Sequence, residues 1–386
     1  PRMLRTLAGH TGPVMSVVVM SDGRRAITTS ADRSAIVWDV DTGEMVHRLT
    51  GHTGRVTSVV VMSDGRRAIT TSWDGSAIVW DVDTGEMAHR LTGHTGPVMS
   101  VVVMSDGRRA ITTSDDWTGI VWDLNIGQAV QRLTGHTDRV TSVAVMSDGR
   151  RAITTSHDGS AIVWDLNTGD VAHRLTGHTE QVTSVAVMSD GRRAITTSDD
   201  GSAIVWDVDT GEIVHRLDES IGWLTSVVVT SDDRRAITTG DAGPAIVWDV
   251  DTGEIVHRLE ESVEPVTSVA VTSDDRRAIT TGTDELATVW DLNTGEVLHR
   301  LTGHTREVTS VAVTSDGRRA ITTSTDETAI VWDVDTGDVA HRLAGHTSWA
   351  SVVVTSDGRR AITTSRDGTA IVWDLDTGEM AHRLAG

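Results

Sequence analysis

The sequence contains no cysteine, phenylalanine, tyrosine or lysine among its 386 residues. Without cysteine the chain has no disulfides, thiolate zinc sites or cysteine nucleophiles. Without lysine it lacks Schiff-base and Walker-type phosphate chemistry. Its 34 basic residues face 55 acidic ones, which gives a net charge of −21. Because phosphate backbones and anionic membranes attract positive charge, this balance argues against nucleic-acid and membrane partners.

Long apolar runs are also missing. None approaches the roughly 20 residues that a membrane span requires, and no signal-peptide pattern opens the sequence. We therefore expect a cytoplasmic protein. Because the sequence begins at Pro1 and not at a methionine, we expect it to be a piece of a longer chain.

An internal repeat fills the sequence instead. The dipeptide Trp-Asp recurs nine times in register, at spacings of 42 residues seven times and then 41 once. A tenth occurrence, Trp73-Asp74, lies outside this register. The repeat units are 8–49, 50–91, 92–133, 134–175, 176–217, 218–259, 260–301, 302–343 and 344–384. No linker or change in composition separates them, so we expect one continuous array.

Each unit has the pattern of four short strands. In the first unit these are Val14 to Met20, Arg25 to Ser30, Ala35 to Trp38 and Met45 to Leu49, separated by Gly- and Asp-containing turns. Such runs are typical of antiparallel hairpins, and no segment of helical length keeps a 3.6-residue period. Four-stranded sheets repeated radially predict an all-β fold, a β-propeller.

The chain resembles the WD-repeat β-propeller family. The resemblance rests on Gly9-His10, Asp32 and Trp38-Asp39, which recur over essentially the whole sequence. It implies a fold and no particular chemistry. We predict nine blades in one closed ring; eight blades with one unit displaced is the alternative, because propellers usually have 4–8.

Two terminal segments match the fourth strand of the repeat, residues 2–7 and residues 379–384. Nine sets of three strands therefore have ten candidate fourth strands. The family resemblance implies that residues 1–7 act as the closing strand, with Met3–Leu7 completing the last blade. Glu379–Leu384 would then be loose or paired elsewhere.

A His, a Thr, an Asp and a Trp recur in register in most units. The predicted set comprises His10, Thr28, Asp32, Trp38; His52, Asp74, Trp80; His94, Asp116, Trp122; His136, Asp158, Trp164; His178, Asp200, Trp206; His304, Asp326, Trp332; and His346, Asp367, Trp373. In a protease such residues would suggest a triad. The family resemblance favours a buried hydrogen-bond network, in which Thr28 or Ser30 supplies the hydroxyl.

The sixth and seventh units depart from this pattern. The sixth has Ser220 and Ala242 in place of His and Asp, and a half-made network would be costly. The seventh has Ser262 but retains Asp284, for which we predict exposure or a substitute donor.

Two other repeated motifs have alternative interpretations. The segment DVDTGE at 39–44 resembles the start of a calcium loop but lacks further visible ligands, so we expect a tight turn and no metal or cofactor. The Arg pairs, such as Arg24-Arg25, follow an Asp-Gly turn and are expected to neutralise Asp-rich turns. Histidines such as His47 lie on the outermost strand, where we expect solvent exposure.

Variation among the units is concentrated after Gly-His-Thr and beside the network Asp, and both loops should emerge at one mouth of the ring. Nine of the thirteen tryptophans belong to the Trp-Asp of the repeat register, and the other four lie in these columns. Tryptophan is enriched at binding hot spots, although each could instead pack on its own loop. The predicted partner-binding residues are Trp73, Trp117, Trp223, Trp349, Arg33, Arg55, Arg139, His157, Arg366, Glu260 and Glu261.

The predicted function is a non-catalytic, monomeric scaffold that binds a protein or peptide. The family resemblance suggests the sensor region of a larger bacterial multidomain protein. The alternative is an engineered or recently amplified array without a specific partner; an enzyme is disfavoured because no unrepeated acid, base or nucleophile cluster is present.

The sixth and seventh units are predicted to form a specialised sector. Acidic stretches replace Gly-His, and Asp233 and Asp275 occupy turn positions that are Gly elsewhere. We predict that Asp218, Glu219, Glu260, Glu261 and Glu264 surround Trp223 as an acidic patch for a basic partner. Simple sequence decay of these two units is the alternative.

Overall fold

The computed structural model describes residues 7–218, 222–260 and 265–385. All regular elements in these ranges are β-strands, 37 in total. No membrane-spanning helix is found in this part of the chain, because it forms no helix at all. The all-β prediction is confirmed.

The first five blades come from the first half of the chain. The strands are β1 (Leu7–Ala8), β2 (Val14–Val19), β3 (Arg25–Ser30), β4 (Ser34–Asp39), β5 (Met45–Thr50), β6 (Val56–Val61), β7 (Arg67–Ser72), β8 (Ser76–Asp81), β9 (Met87–Thr92), β10 (Val98–Val103), β11 (Arg109–Ser114), β12 (Thr118–Asp123), β13 (Gln128–Thr134), β14 (Val140–Val145), β15 (Arg151–Ser156), β16 (Ser160–Asp165), β17 (Val171–Thr176), β18 (Val182–Val187), β19 (Arg193–Ser198), β20 (Ser202–Asp207) and β21 (Ile213–Asp218).

The remaining four blades follow in the same order. Their strands are β22 (Leu224–Val229), β23 (Arg235–Gly240), β24 (Ala245–Asp249), β25 (Ile255–Leu259), β26 (Val266–Val271), β27 (Arg277–Gly282), β28 (Leu286–Asp291), β29 (Val297–Thr302), β30 (Val308–Val313), β31 (Arg319–Ser324), β32 (Thr328–Asp333), β33 (Val339–Ala344), β34 (Ala350–Val354), β35 (Arg360–Ser365), β36 (Ala370–Asp374) and β37 (Met380–Ala385).

The strands form nine separate sheets. Eight are four-stranded in the order β2-β3-β4-β5 or its equivalent, and the ninth has five strands in the order β1-β37-β36-β35-β34. The first strand of each blade contacts the first strands of both neighbouring blades, and β34 contacts β2. Nine blades in a closed ring, with the first strands at the centre, are therefore confirmed.

The hydrophobic core lies between consecutive blades. Ile27, Val37 and Leu49 of the first blade pack against Ile78 and Trp80 of the second, and all five are at most 2% exposed. The same arrangement joins the last blade to the first, where Trp38 packs in a cluster that includes Ile362 and Val372. Burying large apolar side chains drives this packing, and each repeat tryptophan belongs to such a blade interface.

The prediction for ring closure was wrong in one respect. The segment expected to be loose forms β37, which pairs antiparallel with β36 and is the fourth strand of the last blade. Residues 1–6 lie outside the described ranges. Leu7 and Ala8 form β1, a fifth strand that pairs in parallel with β37. The ring thus closes by packing of complete blades, without the exchange of a strand.

The shorter ninth unit fits the ring because it lacks a β-bulge. In every other blade the pairing of the first two strands shifts register at one extra residue, between Val14 and Ser16 in the first blade. In the ninth blade the pairing runs continuously from Ala350↔Ser365 to Val354↔Ala361. The missing residue is therefore the bulge residue.

Candidate functional site

The two variable loops of a blade meet on one face of the ring. In eight blades a backbone hydrogen bond joins them, for example from the Ala31 N–H to the Pro13 carbonyl at 3.0 Å and from the Trp73 N–H to the Arg55 carbonyl at 3.0 Å. The loops 9–13 and 31–33 of the first blade, with their equivalents in the other blades, are called the variable face here. The Asp-rich turns 20–24 and 39–44, with their equivalents, lie at the other ends of the same strands and form the turn face.

Arginine covers two of the four variable-face tryptophans. The Arg55 guanidinium carbon lies 4.8 Å from the ring centroid of Trp73, and that of Arg366 lies 4.3 Å from the centroid of Trp349. Both are cation–π contacts between the two loops of one blade. The tryptophans nevertheless remain 50% and 40% exposed, so each pair presents an aromatic edge and a positive charge to solvent.

Trp117 is held in an unusual backbone conformation. Its φ of 71° lies in the left-handed region, where most equivalent residues are glycines such as Gly75 and Gly159. A bulky residue at positive φ costs on the order of 1 kcal/mol and is a pointer to function. Its side chain is 51% exposed. Arg33 has the same φ of 71° in the first blade and is also exposed.

The most exposed tryptophan, Trp223 at 61%, borders an acidic cavity. The cavity holds about 310 Å³ and is lined by Asp199, Asp200, Gly201, Asp218, Gly222 and Trp223. The backbone N–H of Trp223 donates to Asp241 Oδ1 at 2.6 Å, which fixes the start of its strand. A cavity with carboxylates beside an aromatic face suits a cationic group.

The structure gathers only part of the predicted acidic patch. Asp218 lines the Trp223 cavity, whereas Glu260 is exposed and is not among the described residues that line it. Glu219, Glu261 and Glu264 lie outside the described residues. Asp199, which the sequence analysis placed only in a variable column, contributes a carboxylate in their place.

The remaining variable-face candidates sit in the fourth blade. Arg139 is exposed, and its backbone N–H donates to Asp138 Oδ1 at 2.7 Å. His157 is half-buried, and its backbone N–H donates to the Arg139 carbonyl at 3.1 Å. The two positions are therefore neighbours on the variable face.

Below the variable face lies the repeated His–Thr–Asp–Trp network. In the first blade His10 Nδ1 is 3.0 Å from Asp32 Oδ2, and His10 Nε2 is 2.8 Å from Thr28 Oγ1. The Trp38 indole N–H donates to the same Thr28 oxygen at 2.8 Å. The equivalent contacts occur in seven blades. Ser30 instead donates to the Gly12 carbonyl at 2.9 Å, so Thr28 is the hydroxyl of the network.

These contacts match the proton positions of a neutral histidine. The Trp38 N–H donates to Thr28 Oγ1, and the threonine hydroxyl proton is available to donate to His10 Nε2. The Nδ1–H then donates to the Asp32 carboxylate. Such a histidine joins two loops and two strands. These contacts indicate a structural role, because the Thr28 hydroxyl is buried and already hydrogen-bonded to the histidine and the tryptophan.

Burial sets the charge states of the network. Burial of the His52 imidazole lowers its pKa below the usual range, against the attraction of Asp74. Burial raises the pKa of the Asp74 carboxyl, but hydrogen bonds from Ser76, from the Thr53 N–H and from His52 outweigh it and lower that pKa to about 2. The aspartate is therefore ionised at neutral pH, and the histidine is neutral.

The sixth and seventh blades keep only part of the network. The Trp–Thr hydrogen bond persists in both, at 2.9 Å from Trp248 to Thr238 and 2.8 Å from Trp290 to Thr280. Asp284 is half-buried and accepts from the Leu286 N–H at 3.3 Å. Asp284 is thus only partly exposed, and the Leu286 N–H serves as a substitute donor. Ser220 and Ser262 lie outside the described residues.

On the turn face the calcium-like motif forms a tight turn. Asp39 Oδ1 accepts from the Thr42 N–H at 2.7 Å, and Gly43 has a φ of 69°. The carboxylate thus caps its own turn. Among the described residues no group of three or more His, Asp or Glu is arranged to hold a metal ion.

The second arginine of each pair links neighbouring blades. Arg25 Nη1 lies 2.6 Å from Asp83 Oδ1 of the next blade, and Arg360 Nη2 lies 2.6 Å from Asp41 Oδ1 across the closure. Four further interfaces have the same pair: Arg151–Asp209, Arg193–Asp251, Arg277–Asp335 and Arg319–Asp376. At the other three interfaces the acidic partner is replaced by Asn125, Asn167 or Asn293. The arginines therefore neutralise the turn of the neighbouring blade as well as their own.

The outer-strand histidines are also interface residues, contrary to the expectation of simple solvent exposure. His47 is half-buried, and its Nε2 lies 2.9 Å from the Asp83 carbonyl of the next blade. A Cβ atom on Gly85 would lie 2.7 Å from the His47 ring, and Gly85 has a φ of 74°. Glycine is thus required at this turn for two reasons, backbone conformation and ring contact.

Asp233 and Asp275 adopt the conformation predicted for them, with φ of 58° and 56°. Each carboxylate reaches back to the turn of the preceding blade. Asp275 accepts from the backbone N–H groups of Ser231 and Asp232 at 3.0 and 3.2 Å, and from the Ser231 hydroxyl. These hydrogen bonds offset the strain of a non-glycine residue at positive φ. The sequence predicted the positive φ of these two residues, but it did not predict the hydrogen bonds that their carboxylates accept.

Sequence reasoning also missed a ring of threonines near the centre. Thr141 Oγ1 lies 2.8 Å from Thr155 Oγ1 and donates to the Val182 carbonyl of the next blade at 2.9 Å. In the first and third blades the equivalent residues are Met15 and Met99. Within the described chain Thr29 Oγ1 and Thr113 Oγ1 are buried without a hydrogen-bond partner. The methionines thus explain both orphaned hydroxyls.

Replacing Met99 by threonine is expected to raise the free energy of unfolding by about 1 kcal/mol, because the new hydroxyl can bond to Thr113 Oγ1 and to the Val140 carbonyl. Met99→Val is the matched control, since valine has the shape of threonine without the hydroxyl. Urea unfolding of both variants measures the difference. Equal stability of the two variants would contradict the explanation of the orphaned hydroxyl.

Comparison with known proteins agrees with this architecture. Seven segments match the family model described as WD domain, G-beta repeat: residues 1–39, 43–81, 85–123, 127–165, 169–207, 295–333 and 337–374. They cover more than half of the chain, and the unmatched stretch between 207 and 295 holds most of the two divergent units. Comparison with curated proteins gives no match.

Among solved structures, the computationally designed Ika8 protein is similar to this chain. The TM-score is 0.69, with 24% sequence identity, 85% of this chain covered and 98% of that chain covered. At this identity the likeness concerns the fold alone.

Proposed function

Because the chain belongs to the WD-repeat family, we propose that it is a non-catalytic scaffold that binds a protein or peptide on its variable face. The observation that carries the proposal is the exposure of Trp73, Trp117, Trp223 and Trp349, between 40% and 61%, on that one face. Large aromatic side chains are costly to leave in water and dominate binding hot spots. The turn face, by contrast, consists of repeated charged turns.

The proposed partner is basic. Asp199 and Asp218 beside Trp223 provide carboxylates and an aromatic face for an arginine or lysine side chain. The net charge of −21 would steer a cationic partner towards the ring. Arg55 and Arg366 cover two of the other tryptophans, so those sites suit acidic or carbonyl groups of the same partner.

In a cell, we propose, this ring is a monomeric, cytoplasmic sensor region of a larger bacterial multidomain protein. A second candidate is an amplified or engineered array without a specific partner, and the near-identity of most repeats favours it. The described arrangement of His, Thr and Asp supports a structural role, and an enzymatic function is not proposed.

A panel of short peptides of basic, neutral and acidic sequence tests the proposal by fluorescence anisotropy. Basic peptides are expected to bind, with affinity that falls as salt rises. Trp223→Ala and Asp218→Asn should each weaken binding about tenfold, the size of a cation–π or hot-spot contact. Ile126→Ala is the matched control, because Ile126 is 58% exposed on the turn face.

Binding that survives replacement of all four variable-face tryptophans by alanine would overturn the proposed site. Absence of binding to every peptide in the panel would favour an array that has no partner of this class.

A further inference from the structure

The seventh blade has the threonine, aspartate and tryptophan of the repeated network, but residue 262, at the histidine position, is a serine. The Trp290 indole N–H still donates to Thr280 Oγ1 at 2.8 Å. The strands that carry these groups pair in the same register as those of the second blade, with Thr280 opposite Thr288. The frame of the network is therefore intact, and the position that supplies an imidazole ring in seven other blades cannot supply one here.

The two groups that hold the ring elsewhere have fewer hydrogen bonds in this blade. Asp74 of the second blade accepts from four donors. In the described part of the chain Asp284 accepts from one, the Leu286 N–H at 3.3 Å, and this leucine stands where the second blade has a hydroxyl donor. Thr280 Oγ1 accepts from the Trp290 indole, and its own proton has no acceptor in the same ranges. One acceptor and one donor are thus left for a further group.

A cavity of about 30 Å³ is lined by both Thr280 and Asp284. This volume exceeds the roughly 10–15 Å³ that a single water molecule needs. Two further lining residues, Gly282 and Thr288, are smaller than the serine and isoleucine that most other blades have at these positions. The other walls are mainly apolar and include Pro244, Leu259 and Leu286. Two polar ends and apolar walls suit a flat ring that carries one donor and one acceptor.

The cavity is open to solvent. Thr280 is 6% exposed, whereas the equivalent threonine of every other blade is at most 1% exposed. In the sixth blade, where the histidine and the aspartate are both absent, Thr238 is 0% exposed. Loss of the histidine alone therefore does not expose the hydroxyl. Residues 261–264 lie outside the described ranges, and all of the lining residues named above lie within them.

We propose that the seventh blade holds a binding site for an imidazole ring from outside the chain, either free or as the histidine side chain of another molecule. In the bound state one ring N–H donates to Asp284, and the other ring nitrogen accepts from the Thr280 hydroxyl. The histidine of the first blade makes the same two contacts, at 3.0 and 2.8 Å. The site shares no described lining residue with the Trp223 cavity, and it does not rest on the proposed peptide binding.

Titration with imidazole at about pH 8.5, where the ring is neutral, tests the proposal. The Trp290 indole N–H reports on the site because it donates to the Thr280 oxygen, and its NMR resonance is assigned by its loss in Trp290→Phe. Imidazole should shift this resonance with a Kd of about 1 mM, within the limit for a ligand of five non-hydrogen atoms. Trp80, whose blade has its own histidine, is the internal control and should not shift.

Removal of a single contact should weaken binding. Asp284→Ala takes away the acceptor, and 1-methylimidazole lacks the N–H that donates to it, so each should raise Kd at least about tenfold. Asp115→Ala is the matched control, because Asp115 is a half-buried aspartate of the third blade, and it should leave Kd unchanged. Equal affinity of Asp284→Ala and the unaltered chain for imidazole would overturn the proposal.

A second opening, made in the second blade, shows whether the ring reaches its site. His52→Gly removes the imidazole that lies between Thr70 and Asp74, so added imidazole should then shift the Trp80 resonance as well. If imidazole shifts Trp80 in this variant and Trp290 in neither chain, the seventh blade does not take a ring and the proposal is wrong. The peptide Gly-His-Gly distinguishes the two sources of the ring. Binding of this peptide identifies a site for a histidine side chain, and binding of imidazole alone identifies a site for a free ligand.

Discussion

Replacement of Asp74 by alanine is expected to lower the free energy of unfolding by about 3 kcal/mol, because it leaves several buried donors unpaired. Asp74 accepts from His52 Nδ1 at 3.0 Å, from the Thr53 N–H at 2.8 Å and from the Ser76 N–H and hydroxyl at 2.9 and 2.7 Å. Its side chain is 6% exposed, so water cannot replace these hydrogen bonds. Denaturant unfolding monitored by tryptophan fluorescence measures the loss.

Asp284→Ala provides the matched control in a blade whose histidine position is a serine. Asp284 is half-buried, and we expect its replacement to cost less than about 1 kcal/mol. A second comparison is the double variant His52→Ala with Asp74→Ala. Because the two side chains share one network, the combined loss should be smaller than the sum of the single losses. Additive losses would contradict the network.

The sixth blade already lacks the network that these variants would remove. The sixth unit has lost both partners, with Ser220 and Ala242 in their places, and its blade still has all four strands. A network lost as a whole leaves fewer unpaired buried groups than a network lost in part. Joint loss in one blade is therefore tolerated by a ring that retains seven complete networks.

Acid is expected to destabilise the ring in two steps, the first of which begins below about pH 6.5, the usual pKa of histidine. Burial lowers the pKa of His52, His94, His178 and His304 in the folded ring. As the pH falls past the unfolded value, the unfolded chain takes up protons that the folded ring does not. Stability must then decrease. Each pKa unit of depression removes up to about 1.4 kcal/mol per histidine.

The second step involves the network aspartates. The hydrogen bonds that outweigh burial lower the pKa of Asp74 and Asp326 to about 2. Their contribution is fully present above the unfolded value of about 3.9 and is lost as the pH falls towards 2. Both steps have the same sign, so stability should be greatest at neutral pH and above.

Urea unfolding at pH values from 3 to 8 measures this profile. A variant with His52→Gln and His94→Gln should lose part of the first step and retain the second. A rise in stability between pH 7 and pH 5 would show that the histidines are protonated beside their aspartates, and it would contradict the lowering of the pKa of His52 and His94 by burial.

The divergent sector has additional links between blades, because Asp233 and Asp275 stand where the other blades have glycine. Between the sixth and seventh blades Arg235 meets Asn293 Oδ1 at 3.3 Å and donates to the Leu292 carbonyl at 2.5 Å. A cavity of about 410 Å³ lies at this turn-face interface. The Asp233 carboxylate accepts from the Asp190 N–H of the preceding blade, and the Asp275 carboxylate accepts from the Asp232 N–H of the preceding blade. These contacts hold the divergent blades to their neighbours.

Much of the fold could be predicted from the sequence, because the same strand and turn pattern recurs in every blade. Nine in-register Trp-Asp dipeptides, 41 or 42 residues apart, set the number of blades, and turns such as Asp39–Gly43 set the strand boundaries. Alternation of variable and repeated loops also identified the variable face. Local patterns suffice for these features, since every blade repeats the same strand order and the same short turns.

Contacts between blades were decided only by the tertiary structure. No local pattern shows that Arg25 reaches Asp83, that His47 meets Asp83 on the next blade, or that Asp199 joins Trp223. These pairs are 24 to 58 positions apart and join different blades, so they meet only when neighbouring blades have packed together. The choice between Thr28 and Ser30 was likewise settled by the position of the Trp38 indole.

Ring closure shows most clearly which features the sequence determines and which only the tertiary structure decides. The sequence determined that two terminal segments could fill the fourth-strand position of the last blade, because Leu7 and Leu384 both carry the repeat leucine. The pattern that the two segments share could not tell which of them occupies this position. The tertiary structure ranked them: β37 lies against β36, and β1 lies outside it. The physical reason is that strand pairing is decided in the assembled blade, where β36 and β37 form a hairpin across the short turn 375–379 and β1 arrives from the other end of the chain.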